Sequence, residues 1–253
     1  MHYLRYICLI VSLFLFCARF DACAKEKRSK NEVAIEKKAK RWSIDVSQEY
    51  HNDIISGKKI TGPDLEKDLL RFFSCLDYLP DNFIKRSGIN KVVILDQLKL
   101  NGERAGGIAS GNIMYLQKNF STHTFFHELF HIFDDTRNSN LQWCKLNPKD
   151  FVYKGSVFFE ADLTKKETKK VERESWINRM KPHFVSEYAM SFEQEDRAEV
   201  FAAMIVEGRN FNKRTTRSKV MQKKMDMIID MTDSKRLLGR NFWKKRLKEK
   251  PLE

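Results

Sequence analysis

The sequence predicts an α+β domain with a small mixed sheet and a mostly helical C-terminal part. Three stretches carry that prediction. Lys91 to Leu98 (KVVILDQL) is a run rich in β-branched residues that reads as a buried strand. Residues 105–109 and 112–116 read as two short extended pieces joined by a tight turn at Ser110-Gly111. Residues 125–134 (FFHELFHIFD) read as one helix, and apolar residues recur at helical spacing again over 195–207 and 220–231.

The chain has 253 residues, 42% of them hydrophobic and 12% aromatic, enough for one sizeable domain with a real core. A formal net charge of +13 makes the surface basic, which favours acidic partners or anionic surfaces and says nothing of the fold. No internal repeat is present.

From the N-terminus, residues 1–24 read as a signal peptide. A charged start at Met1 to Arg5 precedes an apolar run from Tyr6 to Phe16, and Ala22-Cys23-Ala24 supplies a small-x-small cleavage site. The expected location is therefore secreted or periplasmic, outside the cytoplasm, after cleavage near Ala24. An uncleaved anchor and a lipoprotein modified at Cys23 are the alternatives. The apolar run is short for a membrane span and no later segment is long enough, so no integral span is expected after cleavage. Beyond the leader only Cys75 and Cys144 remain, which permits either one disulfide or two buried thiols.

Residues 25–41, dense in Lys, Arg and Glu, read as a charged linker or frayed helix, with a basic arm for an anionic surface as the alternative and the folded domain spanning 42–253. Thr61-Gly62-Pro63-Asp64 reads as a helix start, followed by Leu65, Leu69, Phe72, Phe73 and Leu76 on one face. In the glycine-bearing stretch Gly106, Gly107, Ile108 and Ala109, the glycines are costly in a strand and need a reason. One reason is a bulge or bend. The other is an edge strand that lets a peptide backbone approach and add to the sheet. Ser121 or Thr122 caps the next helix, which runs to about Asp135. Trp143, Phe151 and Tyr153 are expected to pack, 163–179 to be a charged helix, the Met-rich face over 220–231 to be core, and Phe242-Trp243 to begin a short basic tail.

The chemistry lies in His127-Glu128-Leu129-Phe130-His131. Histidines four apart stack on one helix face and can grip a single metal ion, while Glu128 beside the first can act on a water without being a ligand. A catalytic zinc wants a third protein ligand. The best source is residues 188–199, where Glu195 and Glu199 lie four apart on one helix face; a carboxylate pair turned inward needs a cation to neutralise it. Spacing leaves open which of the two is the ligand. His123 reads as an exposed or capping histidine, and His183 as structural.

With these residues in view, HELFHIFD followed by Y-x6-E-x3-E resembles the gluzincin metallopeptidases related to anthrax lethal factor and the secreted Pro-Pro endopeptidases. The resemblance implies a zincin-like domain: an edge strand over the helix carrying HExxH, and one zinc ion. It implies His127, His131 and Glu195 as ligands, Glu128 as general base and Tyr188 as the donor to the oxyanion. It also implies that Glu199, with Asp134 at an acidic position of the motif, supports the ligand histidines. The expected activity is zinc-dependent endopeptidase action on a peptide or protein substrate, acidic or surface-bound in view of the charge. The rival readings are a zinc-binding protein that binds a partner without cleaving it, and a basic anion-binding module in which the motif is fortuitous. A leader peptide and basic residues not interleaved with exposed aromatics argue against specific nucleic-acid binding.

Overall fold

The computed structural model describes residues 29–135, 142–153, 155, 175, 178–233 and 237–252. The expected leader, residues 25–28 and most of the charged segment 163–179 lie outside the described residues.

Helix α1 (Lys30–Trp42) opens on a capping box, in which Ser29 Oγ accepts from the Glu32 N–H and the Glu32 carboxylate accepts from the Ser29 N–H. From Lys30 onward the charged stretch expected over 25–41 as a linker or frayed helix is thus a capped helix. Ile35, Ala39 and Trp42 recur at i, i+4 and i+7, which gives the helix one apolar stripe in spite of its charge. Ile35 and Trp42 are buried in the main core, and Trp42 stacks on Phe73 at 5.9 Å. Phe73 belongs to α2 (Gly62–Leu76), which begins after Thr61 with Pro63 in its first turn, where a missing N–H costs nothing. A short α3 (Asp81–Ser87) follows, ended by Gly88 at φ 99°.

Five strands make one sheet: β1 (Ile55–Lys59), β2 (Lys91–Leu100), β3 (Glu103–Arg104), β4 (Gly107–Ser110) and β5 (Ile113–Gln117). Their order is β1-β2-β5-β4, with β3 also paired to β2. The β2/β5 pair is parallel and the rest antiparallel, so the sheet is mixed, and among the described residues β4 forms one edge. The run Val92 to Leu95 of β2 is apolar at every position because both faces of the strand are covered there. Val92 and Ile94 enter the main core beneath the helices, while Val93 and Leu95 join Ile55, Ile108 and Tyr115 on the opposite face.

The rest is mostly helical: α4 (Thr122–Asp135), α5 (Glu193–Glu207), α6 (Arg209–Thr215), α7 (Lys219–Asp233) and α8 (Arg240–Arg246), with single 3-10 turns at Trp143–Leu146, Lys181–His183 and Tyr188–Met190. Aromatic side chains knit the layers. Phe72 meets Phe125 at 5.3 Å, Phe83 meets Phe133 at 5.0 Å and Phe130 meets Phe201 at 4.7 Å. On α7, Met221 and Ile228 are buried in the core. The basic tail expected after Phe242 is corrected to the packed helix α8. Trp243 is buried and donates to Thr232 Oγ1, and the buried Arg246 donates to the carbonyls of Ile205 and Val206, oxygens that the end of α5 leaves without helical partners. Cys75 and Cys144 are free thiols, the first buried and the second exposed. Among the described residues no helix is long and apolar enough to cross a membrane.

Candidate metal centre

Ser121 begins α4 by accepting the Thr124 N–H on its Oγ at 3.0 Å. From there the 3.6-residue period brings His127 and His131 one above the other, their Nε2 atoms 3.0 Å apart. Helix α5 packs directly on α4, with Ala198 and Ala202 buried in the core between larger side chains. Glu195 on that helix places Oε2 at 3.0 Å from His127 Nε2 and 3.2 Å from His131 Nε2. Donors bound at ~2.1 Å around a tetrahedral zinc stand about 3.4 Å from one another, so this triangle needs to open by only a few tenths of an ångström to hold the ion. Two imidazoles and one carboxylate are also a donor set that suits zinc.

Glu199, one turn further along α5, lies on the other side of His127. Its Oε1 is 2.9 Å from His127 Nδ1 and also 2.9 Å from His123 Nε2, while Oε2 accepts from Ser186 Oγ at 2.6 Å. The two glutamates that spacing could not separate therefore face different nitrogens of the same ring. His123, expected to be exposed or to cap the helix, is instead half-buried and bonded to Glu199. Its position four residues before His127 on the same face was the available signal; Ser186 had none.

Charge completes the centre. Burial favours a neutral carboxyl at Glu195, but hydrogen bonds from His127 and His131 outweigh it and hold the pKa down to about 2. Glu199 is likewise kept well below the usual carboxylate range, burial being overcome by His123 and His127. Burial opposes protonation of His127, yet Glu195 and Glu199 together push its pKa up to about 10. Two ionised carboxylates in a largely buried pocket attract positive charge, as a proton on the ring or as a metal dication.

Glu128 points to the sheet side of α4 and is buried, which raises its pKa, while the Ala109 backbone amide donates to it. Here the glycines acquire a reason other than the two expected. A Cβ on Gly107 would sit 2.6 Å from Glu128 Cγ, 2.8 Å from its Oε1 and 2.9 Å from Thr124 Cγ2. The bare backbone is what lets β4 rest on the carboxylate. Gly106 has no such need, its nearest neighbours being Thr124 atoms at 3.8 and 3.9 Å, and Ile108 is buried in the far-side cluster.

Tyr188 sits in a 3-10 turn before α5, 44% exposed, its ring 5.7 Å from that of His127. Its pKa is raised by burial and by Glu195, to which its side chain is hydrogen-bonded, so it is a neutral donor at the lip of the site. Asp134 accepts from Arg197 Nε at 2.8 Å, and Arg197 also holds Glu193 at 2.5 Å; this fastens the end of α4 to the start of α5.

Behind the site is a buried ion pair that no local pattern announces. Asp196 Oδ2 accepts from Lys224 Nζ at 2.7 Å, Trp143 Nε1 at 2.8 Å and Tyr153 OH at 2.7 Å. Lys224 donates also to the His183 carbonyl and lies 3.7 Å over the Phe184 ring. Trp143 and Tyr153, expected to pack, thus also hold the residue next to Glu195, and Lys224 ties α7 to the turn leading to Ser186 and Tyr188.

A family model described as "Putative zinc-binding metallo-peptidase" matches residues 95–245, which take in the hairpin, α4 and α5. Among solved structures, the crystal structure of a protein of the same description from Bacteroides caccae is similar, with a TM-score of 0.55 and 14% sequence identity over 88% of this chain and 94% of that one. At that identity the likeness speaks for the fold. No curated protein sequence matches the chain. With more than half its length matched, the chain belongs to this family of zinc-binding metallopeptidases.

Proposed function

We propose that the protein is a zinc-dependent endopeptidase of the gluzincin type, akin to the lethal-factor-like and Pro-Pro endopeptidases, acting outside the cytoplasm after removal of its leader. The observation that carries this reading is the convergence of His127 Nε2, His131 Nε2 and Glu195 Oε2 within 3.2 Å of one another, with the buried Glu128 on the same helix beneath an open sheet edge.

His127, His131 and Glu195 are the residues that hold one zinc ion. Bound there, the ion supplies a water of lowered pKa and polarisation of the scissile carbonyl. The peptide lies antiparallel along β4, the edge strand that contains Gly107, Ile108 and Ala109 and follows Gly106. Glu128, its pKa raised by burial, takes the water's proton and passes it to the leaving amine. Tyr188, neutral and half-exposed beside His127, donates to the developing oxyanion, a contact of the kind worth roughly 2.7–4 kcal/mol in the transition state. Glu199 accepts from His127 Nδ1 and so leaves Nε2 with its lone pair toward the ion. Asp134, which Arg197 holds at the end of α4, is the further acidic residue assigned to support the ligand histidines. The net charge of +13 suits substrates that are acidic or held at an anionic surface.

The decisive experiment pairs metal analysis with cleavage of a peptide library. Glu128→Gln is expected to keep stoichiometric zinc and lose cleavage, and activity retained in that variant refutes the assignment. Glu195→Ala is expected to empty the site. If Glu199→Ala empties it and Glu195→Ala does not, the two glutamates have been exchanged.

A further inference from the structure

We propose that His123 and Ser186 are positioning residues of the metal centre, gripping the two oxygens of Glu199 so that this carboxylate fixes the ring of His127. The inference rests on His127 being a zinc ligand and goes beyond it. A carboxylate has a broad, roughly two-fold terminal torsion, so one hydrogen bond to His127 leaves its plane free to turn. Here the plane is pinned from both ends. Oε1 is shared by His123 Nε2 and His127 Nδ1 at 2.9 Å each, and Oε2 accepts from Ser186 Oγ at 2.6 Å.

Both grips have their direction set by the rest of the fold. Ser186 Oγ accepts the Ala189 N–H at 3.1 Å, and its one O–H then points to Glu199. Ala189 follows Tyr188 in the same 3-10 turn, so the serine that steadies the carboxylate also anchors the turn that presents the tyrosine. His123 lies one helical turn before His127 on α4. Ligand histidine, carboxylate and tyrosine turn are thereby joined by one chain of hydrogen bonds: Ala189 N–H to Ser186, Ser186 to Glu199, and His123 with His127 to Glu199.

His123, His127 and Glu199 could themselves be taken for a second metal triad, since their donor atoms lie within 4.8 Å of one another. The chemistry of the shared ring speaks against it. A neutral imidazole has one lone-pair nitrogen, and at His127 that is Nε2, in the triangle with His131 and Glu195; Nδ1 is left as a donor, which a carboxylate satisfies and a cation does not.

The test is zinc affinity of the full chain, measured by competition with a chromophoric chelator at one pH, with zinc stoichiometry and the melting temperature of the chelator-treated protein recorded alongside. His123→Ala and Ser186→Ala are each expected to weaken zinc binding by about 10- to 100-fold. His123→Gln and Ser186→Thr, which restore a donor, are expected to recover most of the loss. A merely structural role would lower the melting temperature of the chelator-treated protein and spare the affinity. Ser186→Ala removes a single oxygen and decides the matter alone should His123→Ala not fold. Wild-type affinity in the alanine variants overturns the proposal while leaving the peptidase reading intact. Two zinc ions per chain, one of them lost in His123→Ala, overturn it in favour of a second metal site. No zinc on the wild type overturns both readings.

Discussion

Substituting Gly107 by alanine adds one methyl group at the point where strand β4 touches the proposed base. The added Cβ would stand 2.6 Å from Glu128 Cγ, and ordinary contact begins at 3.4 Å, so strand and carboxylate must part by roughly 0.8 Å. Overpacking of that kind costs typically ~1–3 kcal/mol of stability. The larger effect falls on catalysis. Proton transfer needs Glu128 within hydrogen-bond reach of the attacking water, and a displacement approaching 1 Å lowers rates by about a hundredfold. Gly107→Ala is therefore expected to reduce kcat/KM about 10²-fold, equivalent to ~2.7 kcal/mol, with zinc stoichiometry unchanged. Gly106→Ala is the control next door. Its Cβ would meet Thr124 no closer than 3.8 Å, and it is expected to keep activity within about twofold. Peptide cleavage kinetics, metal analysis and thermal melting of the two variants settle the point. The reasoning is refuted if Gly107→Ala cleaves as well as wild type, or if the two substitutions are equally damaging.

Other expectations concern charge. The pKa of His127 is raised from 6.5 to about 10, so without zinc the ring stays protonated and the ion must displace that proton. Zinc affinity should thus climb about tenfold per pH unit from 7 to 9, as read by chelator competition; a flat profile contradicts it. The same shift gives the zinc-free protein stability that is full below pH 6.5 and lost as pH rises through about 10. The depressed pKa of Glu195 gives stability present above 4.5 and lost as pH falls through about 2, so urea titrations of the chelator-treated protein should peak between those limits. Lys224→Met strands Asp196 as a buried charge and should cost about 3–5 kcal/mol in urea unfolding; Lys224→Met with Asp196→Asn should recover part of it, and no recovery would mean that the pair is uncoupled. Zinc at 100 times its Kd should add about 2.7 kcal/mol to stability, and a melting temperature indifferent to zinc argues against a folded-state site.

Much of the frame is readable from local pattern. The period of β2, the turn at Gly111 and the four-residue spacings His127/His131 and Glu195/Glu199 are properties of neighbouring residues. They need only the geometry of a strand or a helix to acquire meaning. What escaped depends on contacts between distant residues. Helix α1 is hidden under its own lysines, and only its docking on α2 distinguishes Ile35 and Ala39 from the apolar residues of a linker. Lys224 looks like one more charge on a Met-rich helix until Asp196 stands opposite. Gly107 shows why residue type alone misleads. The glycine invites a story about an approaching substrate, whereas the atoms that demand it belong to Glu128 and Thr124.

The aromatic seams reach past the segment that family likeness recognises. That segment starts at residue 95, yet Phe125 and Phe133 of the HExxH helix lean on Phe72 and Phe83, which come before it. The parallel partner of β5 begins at Lys91, and β1 lies wholly outside the segment. What descent makes recognisable and what must be present for the polypeptide to fold are therefore different spans. A polypeptide cut back to residues 95–245 would retain all of the proposed metal-binding and catalytic side chains and expose the wall they are mounted on.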